Sequence, residues 1–175
     1  MFDPAQHQLV VIDFQERLFA AMPEPQRDRA LRAAGNLLYL ARALEMPVCF
    51  TEQYPQGLGP TVPSLDATEP LVKTAFAATD EAGFFPRLAD RRVVILAGME
   101  THICVAHTAT GLLAAGFQVI VAADACVSRQ DSDWHHGLAW VKGAGATVLP
   151  SETILFGLLG RAGGPHFKEV SRRIR

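Results

Sequence analysis

Apolar residues in this chain follow two rhythms. The first is a short, unbroken run rich in β-branched residues: "QLVVIDF" (8–14), "PVCFT" (47–51), "RRVVILAGM" (91–99), "FQVIVAADA" (117–125) and "ATVLP" (146–150). Runs without polar alternation predict strands covered on both faces, the habit of parallel sheets. "LVKTAF" (71–76) predicts a further strand. The second rhythm is helical. Across 28–46, Leu31, Ala34, Leu38, Ala41 and Leu44 form a stripe, with Arg29 and Arg32 off it. Helices are also predicted over 79–89, over 101–115 with Gly116 as the stop, over 131–144, and in the C-terminal tail. Residues 52–70, dense in Pro and Gly, make a loop too long for a simple connection; loops of that length usually carry function.

Strand–helix alternation with two-faced strands implies one domain over 1–175. Its expected fold is a three-layer α/β/α sandwich around a mainly parallel, doubly wound, Rossmann-like sheet. Such sheets hold their ligands beyond the carboxyl ends of the strands, where strand order reverses. In this order the first and fourth strands flank that crevice, so polar residues just past strand ends are the ones to inspect.

Composition narrows the partners. The formal charge of −2 argues against nucleic acid or an anionic membrane surface. No apolar run reaches the roughly 18 residues of a membrane helix, and "MFDPAQHQ" lacks the features of a secretory signal. The odd count of 3 cysteines argues against a disulfide framework and for a cytoplasmic location. Arg172, Arg173 and Arg175 read as a solvated tail, and "ILFGLLG" (154–160) as either an interface segment or a final core helix.

Three strand-end residues carry candidate chemistry. Asp13 closes the first strand, where an acid inside an apolar run must be paired or put to work; a helix cap or a structural ion pair is the plain alternative. Lys73 sits inside "LVKTAF", where the alternative is a solvated edge lysine. Cys104 falls in the first helical turn after "VVILAG", where it also suits a small buried apolar role. The fold aims all three at one crevice. A helix N-terminus and a nearby ammonium lower a cysteine pKa and make it nucleophilic. Asp13 is then placed to move the proton, Lys73 to hold the aspartate, and the N–H groups of Glu100 and Cys104 to form an oxyanion hole. Phe14, Phe19, Gln53, Tyr54 and Phe76 adjoin these residues in sequence and are candidates for a substrate pocket, with core packing as their alternative.

A metal site in "GMETHICVAHTATG" (98–111) fails on geometry. His102 and His107 lie roughly 140° apart around a helix and cannot converge on one ion with Cys104. A Cys104–His107 pair shares a face and stays as a rival to the Asp–Lys–Cys set. His135, His136 and His166 read as structural or surface residues, Cys49 and Cys126 as packing residues. "GLGP" lacks both glycine-rich phosphate patterns.

With these residues in view, the chain resembles the isochorismatase-like cysteine hydrolases over nearly its whole length. The resemblance rests on Asp13 ending the first strand, on Lys73 in "KTAF", and on "GMETHIC" ending in Cys104. It implies an Asp13–Lys73–Cys104 triad and a cis peptide at Met99–Glu100. "TEQYPQGLGPTVPSL" and "HFKEVS" resemble the isochorismatase domain-containing subgroup. Nicotinamidases of the superfamily carry an Asp/His metal cluster after the second strand; "FTEQYPQG" has neither residue type, which argues against that activity and that metal. Isochorismatases proper lack the nucleophilic cysteine. The resemblance therefore implies a hydrolase of small amides or related acyl compounds, without metal or cofactor, forming a thioester and assembling as a homo-oligomer. The non-hydrolase alternatives are a catalytically silent scaffold and a thiol redox protein with Cys126 as resolving cysteine.

Overall fold

A computed structural model describes residues 2–175. Six strands form one sheet: β1 (His7–Ile12), β2 (Val48–Gln53), β3 (Leu71–Lys73), β4 (Val93–Met99), β5 (Gln118–Val127) and β6 (Thr147–Leu149). Their order is β3-β2-β1-β4-β5-β6 and every pairing is parallel. Strand order therefore reverses between β1 and β4, as the alternation predicts. The helices are α1 (Glu16–Ala20), α2 (Glu24–Ala43), α3 (Pro55–Leu58), α4 (Ala106–Ala114), α5 (Asp131–Gly143), α6 (Ser151–Leu159) and α7 (Phe167–Arg173).

Successive strand residues point to opposite faces, which divides the core in two. Leu9 and Val11 of β1 pack with α2, α6 and α7; Val10 and Ile12 pack with α4 and α5. Ile154 and Leu155 of "ILFGLLG" are fully buried, so that run is a core helix rather than an interface. No helix among the described residues is long and apolar enough to cross a membrane.

The departures from the predicted elements have local causes. Residues 79–89 are not one helix but two short 3₁₀ turns, Ala78–Asp80 and Phe85–Arg87. Gly83 and Pro86 interrupt the span, one by backbone entropy and the other by its missing N–H. α2 starts earlier than its apolar stripe because Pro25 fits a first helical turn. β3 stops at Lys73, after which the chain curls back on that lysine. The helix predicted from residue 101 opens as a π turn (Thr101–Val105) before α4, and Gly116 at φ +88° ends it as expected. The short helices α1 and α3 carry no readable periodicity.

Candidate active site

Three segments bring the candidate residues to the reversal point. Asp13 follows β1 with φ +53°, a left-handed conformation that aspartate tolerates better than most residues. Its backbone N–H donates to Thr51 O at 3.1 Å, continuing the β1–β2 ladder past the strand. Its carboxylate is wholly buried. Oδ1 accepts from the Thr51 hydroxyl at 2.7 Å, and Oδ2 lies 2.8 Å from Lys73 Nζ. The lysine side chain is also fully buried, although β3 is an edge strand. It reaches inward past β2 instead of outward to water.

Three further acceptors surround Nζ: Gln53 Oε1 at 2.5 Å, and the Ala75 and Phe76 carbonyls at 3.3 Å each. Asp13 Oδ2 thus faces the ammonium as a buried ion pair at 2.8 Å.

Cys104 lies in the π turn after β4, only 5% exposed. Both the Asp13 carboxylate and the Lys73 ammonium act on its thiol. Burial pushes its pKa up to about 12; the Asp13 charge adds to the rise and Lys73 opposes it. The expected lowering by a helix end and an ammonium is thus reversed. Lys73 is already neutralised by Asp13, and burial then dominates. The resting group is a thiol beside a carboxylate, not a preformed thiolate. Cys49 and Cys126 are likewise pushed up, to about 11 and about 12, by burial.

The turn before Cys104 is held from outside. The Met99–Glu100 peptide is cis, as the resemblance implies. The Glu100 carboxylate is buried and bound twice by Arg129: Nε to Oε1 at 2.9 Å and backbone N–H to Oε2 at 3.0 Å. The Glu100 carbonyl accepts the Ile103 and Val105 N–H groups at 3.1 and 3.2 Å. Helix α5 presses on the turn at Gly137, where any side chain would collide with the His102 backbone.

The pocket candidates separate. Gln53 touches Lys73, and Phe76 does so through its carbonyl. Tyr54 and Phe76 are 57% and 59% exposed. Phe14, in contrast, is fully buried in the α2-side core, and Phe19 packs against that core under the Arg27 guanidinium at 5.2 Å. Both serve packing rather than the pocket expected for them. The left-handed turn at Asp13 sends the chain away from Cys104 toward α2. His107 is exposed and edge-on to Trp140, with centroids 5.1 Å apart. His102 turns to Ser128 (3.1 Å) and Asp133 (3.7 Å). Neither histidine partners Cys104. Among the described residues, no group of three or more His, Cys, Asp or Glu side chains is placed to hold a metal ion.

Several supporting residues were not read from the sequence. Thr51 fixes Asp13. Gln15, buried, bridges Gln53 N–H (2.7 Å), Gln53 O (3.0 Å) and Gly59 O (2.6 Å). Glu81 accepts from the Thr74 and Ala75 N–H groups at 2.7 and 2.9 Å, which folds the "KTAF" segment over the ammonium. Thr51 becomes recognisable only once the register Ile12↔Thr51 is known.

An all-parallel sheet with an Asp–Lys pair and a cysteine at its reversal point defines an isochorismatase-type α/β protein. The isochorismatase domain model matches residues 7–153, and the chain belongs to that family. Isochorismatase domain-containing protein 2 of Homo sapiens is 39% identical over 98% of this chain and 84% of its own length; the Xenopus laevis protein of that name is 42% identical over 81% and 71%. A solved structure described as MAR1 ribonuclease from Caenorhabditis elegans superposes with TM-score 0.90, at 35% identity, covering 99% of this chain and 91% of that one. The Escherichia coli YcaC gene product, described as an octameric hydrolase of unknown specificity, shares the fold at TM-score 0.81 and 23% identity.

Proposed function

We propose that this chain is a metal-independent cysteine hydrolase of small amides or related acyl compounds. The observation that carries the reading is the convergence of one thiol with a buried Asp–Lys ion pair. Cys104 Sγ attacks the substrate carbonyl as its proton passes to Asp13 Oδ2. Lys73 stays charged and holds Asp13 in place through the transfer. The Glu100 and Cys104 N–H groups hold the oxyanion. Asp13 returns the proton to the leaving amine, and water releases the thioester. Gln53, Tyr54 and Phe76 are the pocket residues of this reading. The paired charges leave the site nearly neutral, which suits an uncharged amide.

Support for a homo-oligomer comes from the Escherichia coli YcaC product, described as octameric, and from Val72, an apolar side chain more than half exposed on the edge strand β3; light scattering after size exclusion tests it. A second reading, RNA hydrolysis, is favoured only by the description of the 35%-identical nematode structure.

The deciding experiment screens small amides, lactams and N-carbamoyl compounds, with an RNA oligonucleotide alongside, against wild type and Cys104→Ala. A small-molecule hit lost in the variant, with a thioester trapped by hydroxylamine, supports the reading. Turnover that survives in Cys104→Ala, or that appears only with RNA, overturns it.

A further inference from the structure

At the end of the sheet opposite Asp13, the N-terminal ends of β1, β4, β5 and β6 border a cavity of about 240 Å³. Phe2, Val93, Leu113, Phe117, Ile120 and Leu149 supply most of its wall, and none of the described residues lining it is charged. His7 also lines it and is 1% exposed.

The imidazole's protonation follows from its contacts. His7 Nδ1 lies 2.6 Å from the Asp3 carbonyl oxygen. A carbonyl only accepts, so Nδ1 carries the hydrogen and Nε2 is left as a lone pair. Burial lowers the His7 pKa, with the Asp3 carbonyl opposing, which keeps the ring neutral at pH 7. Nε2 is buried and has no hydrogen-bond partner among the described residues. Buried acceptors are nearly always paired, so an orphan beside a cavity points to a missing donor. Phe2 stacks on the imidazole, centroids 5.7 Å apart at 25°. It rests against α6 at Gly157, where any side chain would run into its ring. Phe2 precedes the first helix and strand and covers the imidazole, so its ring is the part of the wall placed to move.

We propose that this cavity is a second binding site, taking a small, neutral, ring-sized molecule that donates one hydroxyl or N–H to His7 Nε2. The mostly apolar wall contacts the body of the ligand and favours a neutral one. Entry displaces the Phe2 ring, which gives the ligand's donor access to the shielded lone pair. The site is separate from Cys104. Six strand residues lie between the two ends of β1, roughly 20 Å. It does not depend on the hydrolase reading.

The test uses two probes that differ by one hydroxyl, phenol and toluene, titrated calorimetrically into the full chain. Wild type binds phenol at least tenfold tighter than toluene, a difference of about 1.4 kcal/mol. His7→Phe keeps an aromatic ring but has no lone pair, and it binds the two probes equally. Leu113→Trp fills the cavity from its rim and abolishes binding of both while His7 stays intact, which keeps the proposal testable if His7→Phe folds poorly. Equal wild-type affinity for the two probes, phenol preference retained in His7→Phe, or no binding of either probe overturns it.

Discussion

The two ends of β1 handle buried polar groups in opposite ways. At the carboxyl end, Asp13 and Lys73 are buried together, and Thr51, Gln53 and two carbonyls complete their shell. At the amino end, His7 is as deeply buried, yet its Nε2 has no hydrogen-bond partner among the described residues and most of the wall is apolar. The sheet pays for ionic burial only where a network satisfies both charges. Where there is no network, the buried group is neutral. The difference sets an ion pair within a polar network at one end against a lone imidazole among mostly apolar side chains at the other.

The largest expected effect breaks the paired end. Lys73→Met leaves Asp13 as a buried, uncompensated charge and is expected to destabilise the fold by about 3–5 kcal/mol, measured by urea unfolding. The double variant Asp13→Asn/Lys73→Met is expected to recover much of that loss, since removing both charges is far cheaper than removing one. A double variant no more stable than the single one contradicts this account.

Thr51→Val tests a single strut. Losing a hydrogen bond to a charged acceptor costs about 2 kcal/mol, and the same change frees Asp13 to rotate. Thermal unfolding reads the first effect; a fall in kcat on any substrate found by the screen reads the second. Glu81→Ala, which releases the Thr74 and Ala75 N–H groups, is expected to lower kcat about tenfold with little change in unfolding midpoint, because its work is to shape the loop over Lys73.

The thiol's raised pKa gives a pH test. A thiol pushed up to about 12 exposes thiolate only as pH rises, so iodoacetamide labelling of Cys104 should climb about tenfold per pH unit from pH 7 to beyond 10. A labelling plateau below pH 8, read by mass spectrometry, indicates a thiolate already formed at rest and reverses the proton order proposed here.

The smallest effect lies at the amino end and has the opposite sign. His7→Phe removes a buried polar ring that is only half satisfied, so stability is expected to hold or rise by up to ~1 kcal/mol. A loss comparable to that of Lys73→Met would show that His7 is fully paired in solution and would erase the contrast between the two ends.

The fold class was legible because β1, β4 and β5 are unbroken β-branched runs, a signal local enough to read without neighbours. Asp13, Lys73 and Cys104 were legible for a related reason: a polar residue stands out inside an apolar run. What stayed hidden depends on register and direction. Thr51, Gln15 and Glu81 are ordinary polar residues until the sheet puts them beside Asp13, Gln53 and Thr74. Phe14 and Phe19 were misplaced because adjacency in sequence says nothing about which way a chain turns after a residue with positive φ. The sign of the Cys104 pKa shift was also missed: the Asp13–Lys73 pairing was expected, but not the depth of burial that outweighs the ammonium.

The segments that carry Asp13, Lys73 and Cys104 lie far apart in the chain and meet only when β3, β2, β1 and β4 are all aligned. Long-range parallel pairing forms late, after the entropy of closing large loops has been overcome. The burial that raises the Cys104 pKa, in contrast, comes from α4 and α5 packing beside the turn after β4. An intermediate in which these helices have not docked presents an ordinary solvent-exposed thiol. During refolding, the disappearance of Cys104 labelling should thus time that docking, making this one sulfur an internal clock for closure of one helical layer over the sheet.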